Sequence, residues 1–142
     1  MTTNYLPVTL PNGTPVNIFG GPYYDKPDDM VGVKMAKEIN KPCVISIPTE
    51  DFNVPEHTDL YRGLFDALHV LFYPKKYNKR PMYVGCMGGV GRTGLFMAAF
   101  LRLLHRDGAT GDYCVQYVRS YYNPRAVETD QQVKYINDLN FP

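Results

Sequence analysis

The sequence of 142 residues has no tryptophan, only three cysteines and almost no excess of either charge. Lys plus Arg is 15 and Asp plus Glu is 14, a formal net charge of +1. That balance argues against nucleic acid or an anionic membrane surface as the main partner, because both call for a clear basic excess. Three cysteines are too few and too odd in number for a disulfide framework, which points to a reducing compartment. No apolar run reaches the roughly 18 residues that span a bilayer, and Met1-Thr2-Thr3-Asn4 lacks the charged-then-apolar pattern of a leader. No cluster of residues has metal-ligand spacing, so neither a metal nor another cofactor is expected. Repeats, charge blocks and low-complexity tracts are also missing. What remains is the expectation of a cytoplasmic single domain over residues 1–142. A chain of this length buries roughly 68–70% of its unfolded surface.

The 12 prolines and 12 glycines are spread along the chain and act as punctuation. Pro7–Leu10 and Pro15–Phe19 read as two strands joined by an Asn12-Gly13 hairpin turn. Asp28 or Asp29 is then a possible cap for a helix reaching about Asn40, with Met30, Val33, Ala36, Lys37 and Ile39 along one face. Cys43–Ile47, bounded by Pro42 and Pro48, reads as a buried strand. Thr58 is a plausible cap for a helix carrying Leu60, Leu64, Phe65, Leu68, Leu71 and Phe72. Pro81–Val84 is another strand, followed by a helix from Gly94 to about His105 that is apolar on nearly every face. Two more helices are predicted around Asp112–Tyr122 and Thr129–Leu139. Strands alternating with helices predict an α/β fold, a central and mainly parallel sheet flanked by helices, with its site beyond the carboxyl ends of the strands.

The segment Tyr83-Val84-Gly85-Cys86-Met87-Gly88-Gly89-Val90-Gly91-Arg92-Thr93-Gly94 carries the chemistry. A strand runs into a loop of small residues and then directly into a buried helix. Glycines let backbone N–H groups converge, and the helix start adds its positive dipole end, so the loop is an anion cradle suited to phosphate. The same field favours the thiolate of Cys86. Arg92 stands where its guanidinium fork can hold two oxygens of a tetrahedral oxyanion. A nucleophile and an anion clamp at the two ends of one loop suit phosphoryl transfer.

This segment resembles the H-C-x5-R-S/T signature of the cysteine-dependent protein tyrosine phosphatases, including the G-x-G-R-T-G ending, and the chain's length resembles the compact dual-specificity branch. The resemblance implies a cysteinyl-phosphate intermediate and no metal. It implies Cys86 as nucleophile, Arg92 as transition-state clamp, and Met87, Gly88, Gly89, Val90, Gly91 and Arg92 as the phosphate cradle. Thr93 would support the sulfur as a leaving group. The sequence departs from the signature at Gly85, where the family has a histidine that orients the loop and stabilises the thiolate.

Phosphoester cleavage also needs a proton for the leaving oxygen. Asp51-Phe52-Asn53-Val54-Pro55 is similar to the D-x-x-V-P part of the family's acid loop, which makes Asp51 the acid, with Glu50 as the alternative. Ala126 to Gln132 resembles the family's Q-T-x-x-Q segment, which aligns the hydrolytic water. Glu128 stands at the first Gln and Gln132 at the second, and Glu128 is a candidate base on that water. Thr129-x-x-Gln132 is equally a capping box that starts the last helix. His69 is expected at the core edge, His105 against the helix dipole, and His57 near the acid loop. Cys114 reads as helix packing, and a Cys43–Cys86 disulfide is rejected because strand geometry holds the two apart. Tyr121, Tyr122 and Arg125 are expected at the pocket rim.

The function expected is hydrolysis of a phosphomonoester on a phosphorylated protein or small molecule. Two other readings stay open. One is a catalytically weak module that captures phosphorylated ligands, motivated by Gly85 and Glu128. The other is an enzyme acting on RNA 5′ ends or inositol phosphates, disfavoured by the uncharged loop Met87–Val90.

Overall fold

The computed structural model describes residues 4–105 and 108–141, so the readings of Met1–Thr3 fall outside the described residues. The first strands are β1 (Asn4–Thr9) and β2 (Pro15–Pro22), antiparallel and joined by the expected turn. Gly13 takes φ of 87° there, and the Thr14 amide donates to the Asn12 side chain at 3.1 Å. A 3₁₀ turn at Tyr23–Asp25 leads to β3 (Val31–Ala36), and β4 (Ile45–Thr49) follows. Then come α1 (His57–Phe72), a 3₁₀ turn at Pro74–Tyr77, β5 (Met82–Cys86), α2 (Gly91–Leu104), α3 (Gly111–Tyr121) and α4 (Asp130–Asn137). The sheet order is β1-β2-β5-β3-β4, and every pairing after the hairpin is parallel. The mainly parallel α/β sheet expected from the sequence is what the chain forms.

The predicted helix from Asp28 or Asp29 to Asn40 is instead a turn followed by β3. The helical spacing of Met30, Val33, Ala36 and Ile39 was misleading. β3 lies between β5 and β4, so Val31, Gly32, Val33, Met35 and Ala36 are buried on both faces and strand alternation is erased. The β-branched Val31 and Val33 prefer that extended backbone. The cap at Thr58 is also corrected. α1 starts at His57 with Glu56 in the cap position and no side-chain capping bond.

α2 is the centre of the molecule. Every residue from Gly91 to Leu101 is buried, and the helix packs on β5 and β3 and touches α1, α3 and α4. Being surrounded by layers explains why it is apolar all round. The Thr129 capping box of α4 is present in both directions. Among the described residues, no helix is long and apolar enough to cross a membrane.

Candidate active site

Parallel pairing sets the carboxyl ends of β5, β3 and β4 at one edge of the sheet, and the candidate residues gather there. β5 ends at Cys86, the loop Met87–Val90 follows, and α2 begins at Gly91, so Arg92 and Thr93 lie in its first turn. The Cys86 sulfur accepts two hydrogen bonds, from the Gly89 amide and the Thr93 hydroxyl, each at 3.2 Å. Donors aimed at a sulfur beside a helix start are an arrangement that a thiolate can use. Burial inside α3 pushes the thiol of Cys114 up to about 11. All three cysteines are free.

Met87 and Gly88 face solvent, whereas Gly89 is buried with φ of 74°. A side chain at 89 would also place its Cβ 2.2 Å from the Gly21 carbonyl carbon at the end of β2. Both the left-handed backbone and the close approach require glycine there.

Arg92 is only 1% exposed. Its two terminal nitrogens form a fork on Glu38 at 2.7 and 2.8 Å, and one of them also donates to the Thr49 carbonyl at 2.8 Å. The hydrogen bond from Arg92 holds the Glu38 carboxyl down to about 2. Burial opposes charge on Arg92, but Glu38, Cys86 and Asp51 outweigh it and keep the guanidinium above its ordinary value. The Nε–H of Arg92 is buried and has no partner among the described residues. A buried donor left open beside a sulfur that itself accepts two hydrogen bonds is suited to an anionic ligand.

Glu38 escaped the sequence reading. It lies 54 positions from Arg92, in the loop after β3, and Lys34 fastens that loop by donating to the Ile39 and Lys41 carbonyls. No local pattern marks it. The strand order carries it there.

Asp51 follows β4 and comes within 3.5 Å of Arg92, with its side chain about half exposed (52%). Its carboxylate accepts from the Phe52 amide at 3.0 Å, and Phe52 sits at φ of 60° on the turn that presents it. Glu50 points elsewhere, 3.6 Å from Lys37. The structure therefore brings Asp51, and not Glu50, to the arginine.

Glu128 lies against the start of α2, its carboxylate oxygen 2.2 Å from where a Cβ on Gly91 would be. Delivering it there costs strain. Val127, a β-branched residue, holds φ of 59°, a conformation that costs on the order of 1–3 kcal/mol. The Arg119 guanidinium offsets this by donating to the Ala126 and Val127 carbonyls at 2.9 and 2.8 Å. Both polar atoms of the Gln132 side chain are bonded. Its oxygen accepts from the Glu128 and Thr129 amides, and its amide donates to the Asn53 carbonyl in the acid loop at 3.1 Å. It thus caps α4 and ties that helix to the loop carrying Asp51.

Of the remaining expectations, His57 does lie by the acid loop, stacked on Tyr135 with ring centroids 4.8 Å apart. His69 is exposed and tilts against Tyr73 instead of edging the core. His105 is the residue after α2. Tyr121 and Arg125 are exposed, but Tyr122 is buried beneath the loop. Among the described residues, no three His, Cys, Asp or Glu side chains converge to hold a metal.

Gly85 now has a physical reason. A Cβ at this position would lie 2.7 Å from the Tyr23 Cα and 2.9 Å from the Tyr23 nitrogen, backbone atoms that cannot rotate away. The Tyr23–Asp25 turn occupies the space a histidine would need. Gly85→Ala is therefore expected to destabilise the protein by about 1–3 kcal/mol, as overpacking does, and Gly85→His by more. Denaturant unfolding checks this, and an unchanged midpoint in Gly85→Ala would contradict the crowding.

Comparison with known proteins agrees with this architecture. The protein-tyrosine phosphatase family model matches residues 48–140. An uncharacterised protein of Methanocaldococcus jannaschii, MJECL20, is 35% identical over 92 residues, which make up 63% of this chain and 54% of that protein. Receptor-type tyrosine-protein phosphatase eta of Gallus gallus is 32% identical over 91 residues, 61% of this chain and 6% of the receptor. The chain thus spans about half of the first relative and a small part of the second. Among solved structures, kinase associated phosphatase with serine in place of its catalytic cysteine superposes with a TM-score of 0.71 at 14% identity, covering 97% of this chain and 94% of that one. Tk-PTP in its active form gives 0.60 at 24% identity, covering 78% of each chain. PTPMT1 in complex with PI(5)P gives 0.59 at 17%, covering 78% and 76%. At these identities the structural likenesses speak for the fold.

Proposed function

The chain belongs to the protein-tyrosine phosphatase family, and from that premise we propose that it hydrolyses phosphomonoesters through a cysteinyl-phosphate on Cys86, with residues 1–142 acting as one catalytic domain. The observation that carries the proposal is the Cys86 sulfur with two hydrogen-bond donors on it, next to a buried guanidinium with one open N–H.

In the first step the Cys86 thiolate attacks phosphorus and the bond to the ester oxygen breaks. The backbone amides of Met87 to Arg92 and the open Nε–H of Arg92, whose terminal nitrogens are forked on Glu38, take up the charge on the equatorial oxygens. Asp51 gives its proton to the departing oxygen, which leaves as an alcohol or phenol. In the second step water attacks the phosphorus of the intermediate, its proton passing to Asp51 or to Glu128. The P–S bond breaks, releasing phosphate, and the Thr93 hydroxyl supports the returning thiolate. Gln132 serves both steps by fixing the acid loop and the Glu128 backbone together. No metal or other cofactor is needed in this sequence of steps.

For the substrate we propose a phosphorylated tyrosine, serine or threonine side chain on a protein, or a small phosphomonoester. An inositol-phosphate substrate is the second reading, supported by the likeness to the phosphatase solved with PI(5)P. The uncharged side chains of Met87 and Val90 weigh against it, since a multiply anionic substrate favours a basic loop. A capture module without turnover is the third.

Asp51→Asn tests these roles. The variant is expected to slow phenyl phosphate by about 10²–10⁴-fold, and an aryl phosphate with an acidic phenol far less, because a good leaving group scarcely needs the proton. Equal losses on both esters would remove Asp51 from the acid role. A parent protein that turns over neither ester would favour the capture module.

A further inference from the structure

We infer that the Tyr122 hydroxyl is the positioning group of the phosphate loop, doing the orienting work for which Gly85 has no side chain. The inference rests on the phosphatase reading of Cys86 and deepens it. Tyr122 follows α3 and is 6% exposed, and its hydroxyl donates to the Gly89 carbonyl at 2.6 Å. Gly20 makes room for it, because a Cβ there would lie 2.7 Å from the hydroxyl oxygen.

The bond acts on the one residue of the loop in the left-handed conformation. Gly89 pays no steric penalty there, but without a Cβ it has no intrinsic preference for that conformation over others. Two donors depend on it. The Gly89 amide reaches the Cys86 sulfur. The Gly89 carbonyl and the Val90 N–H share one planar trans peptide and point in opposite directions. Holding the carbonyl out against Tyr122 therefore turns the Val90 N–H to the other side of the loop, toward the proposed phosphate site. Rotation of this peptide would face a carbonyl oxygen toward phosphate. Burial keeps the Tyr122 phenol above its ordinary value, so it stays a donor throughout the working pH range.

Other ionisable groups surround Cys86. Arg92 lies on α2 with Glu38 and Asp51 beyond it, Glu128 lies over Gly91, and the phenols of Tyr83 and Tyr122 lie below. Tyr83 supplies the control. Its hydroxyl is also buried near Cys86 but donates to the Pro22 carbonyl at 2.8 Å and makes no bond to the loop.

The experiment measures the pH at which iodoacetamide alkylates Cys86 at half its maximal rate, together with the affinity for tungstate and the melting temperature. In Tyr122→Phe the midpoint is expected to rise by roughly one pH unit, the effect of weakening one donor to a thiolate. Tungstate affinity is expected to fall about tenfold, the effect of misaiming one backbone donor to an anion. Tyr83→Phe is expected to leave both near the parent values. Parent values in Tyr122→Phe, or equal shifts in the two variants, would overturn the inference. If Tyr122→Phe does not fold, 3-fluorotyrosine at position 122 keeps the bond and strengthens the donor. The midpoint then moves down, and an unmoved midpoint overturns the inference. Alkylation needs no turnover, so a parent that is alkylated normally yet hydrolyses no ester sinks the phosphatase reading and leaves the test of Tyr122 standing.

Discussion

Cys86→Ser is expected to abolish ester hydrolysis, a loss above about 10⁴-fold, while inorganic phosphate and tungstate still bind within a few-fold of the parent. A serine hydroxyl is protonated at neutral pH, and the groups bonded to position 86, the Gly89 amide and the Thr93 hydroxyl, act as donors and do not take up its proton, so the attacking group is lost. The geometry around position 86 survives the change. Serine is smaller than cysteine, and its oxygen can accept the same bonds from Gly89 and Thr93. The proposed anion cradle consists of backbone amides and Arg92, none of which is altered. A burst experiment with an aryl phosphate checks the claim directly, since the parent should release one equivalent of phenol rapidly and the variant none. Full activity in Cys86→Ser would end the covalent reading.

Arg92→Lys is expected to lower kcat at least ~100-fold, as losing an oxyanion-hole donor does. The charge is kept, but the fork is not. Arg92 satisfies both oxygens of Glu38 and the Thr49 carbonyl, with its Nε–H still open for an anion. One ammonium with three donors on a flexible stem cannot meet all four demands from a site that is almost fully buried. The part left unmet is either the ligand oxygens or the Thr49 carbonyl. Leaving that carbonyl unpaired costs about 1–3 kcal/mol. The measurements are kcat, KM and the unfolding midpoint. Activity within a few-fold of the parent would reduce Arg92 to a structural tie between α2, Glu38 and β4.

The residues whose chemistry is local could be read along the chain. Cys86, the glycines after it, Arg92 and Thr93 fall within eight consecutive positions. A strand, a small-residue loop and a helix start are sufficient to converge their donors. The capping box at Thr129 and Gln132 was legible for the same reason. β3 was not, because a strand buried on both faces has neither alternation nor a reliable period.

The long-range partners had no signal in the sequence. Glu38 meets Arg92, Tyr23 fills the place beside Gly85, Tyr122 anchors Gly89, and Arg119 braces the strained Val127. Setting β5 between β2 and β3 brings the turn after β2 and the loop after β3 to either side of Cys86. The covalent sequence carries the reactive groups because they are neighbours along the backbone. Their orientation and their counter-charge come from segments tens of residues away, and only closure of the sheet brings these within hydrogen-bonding reach.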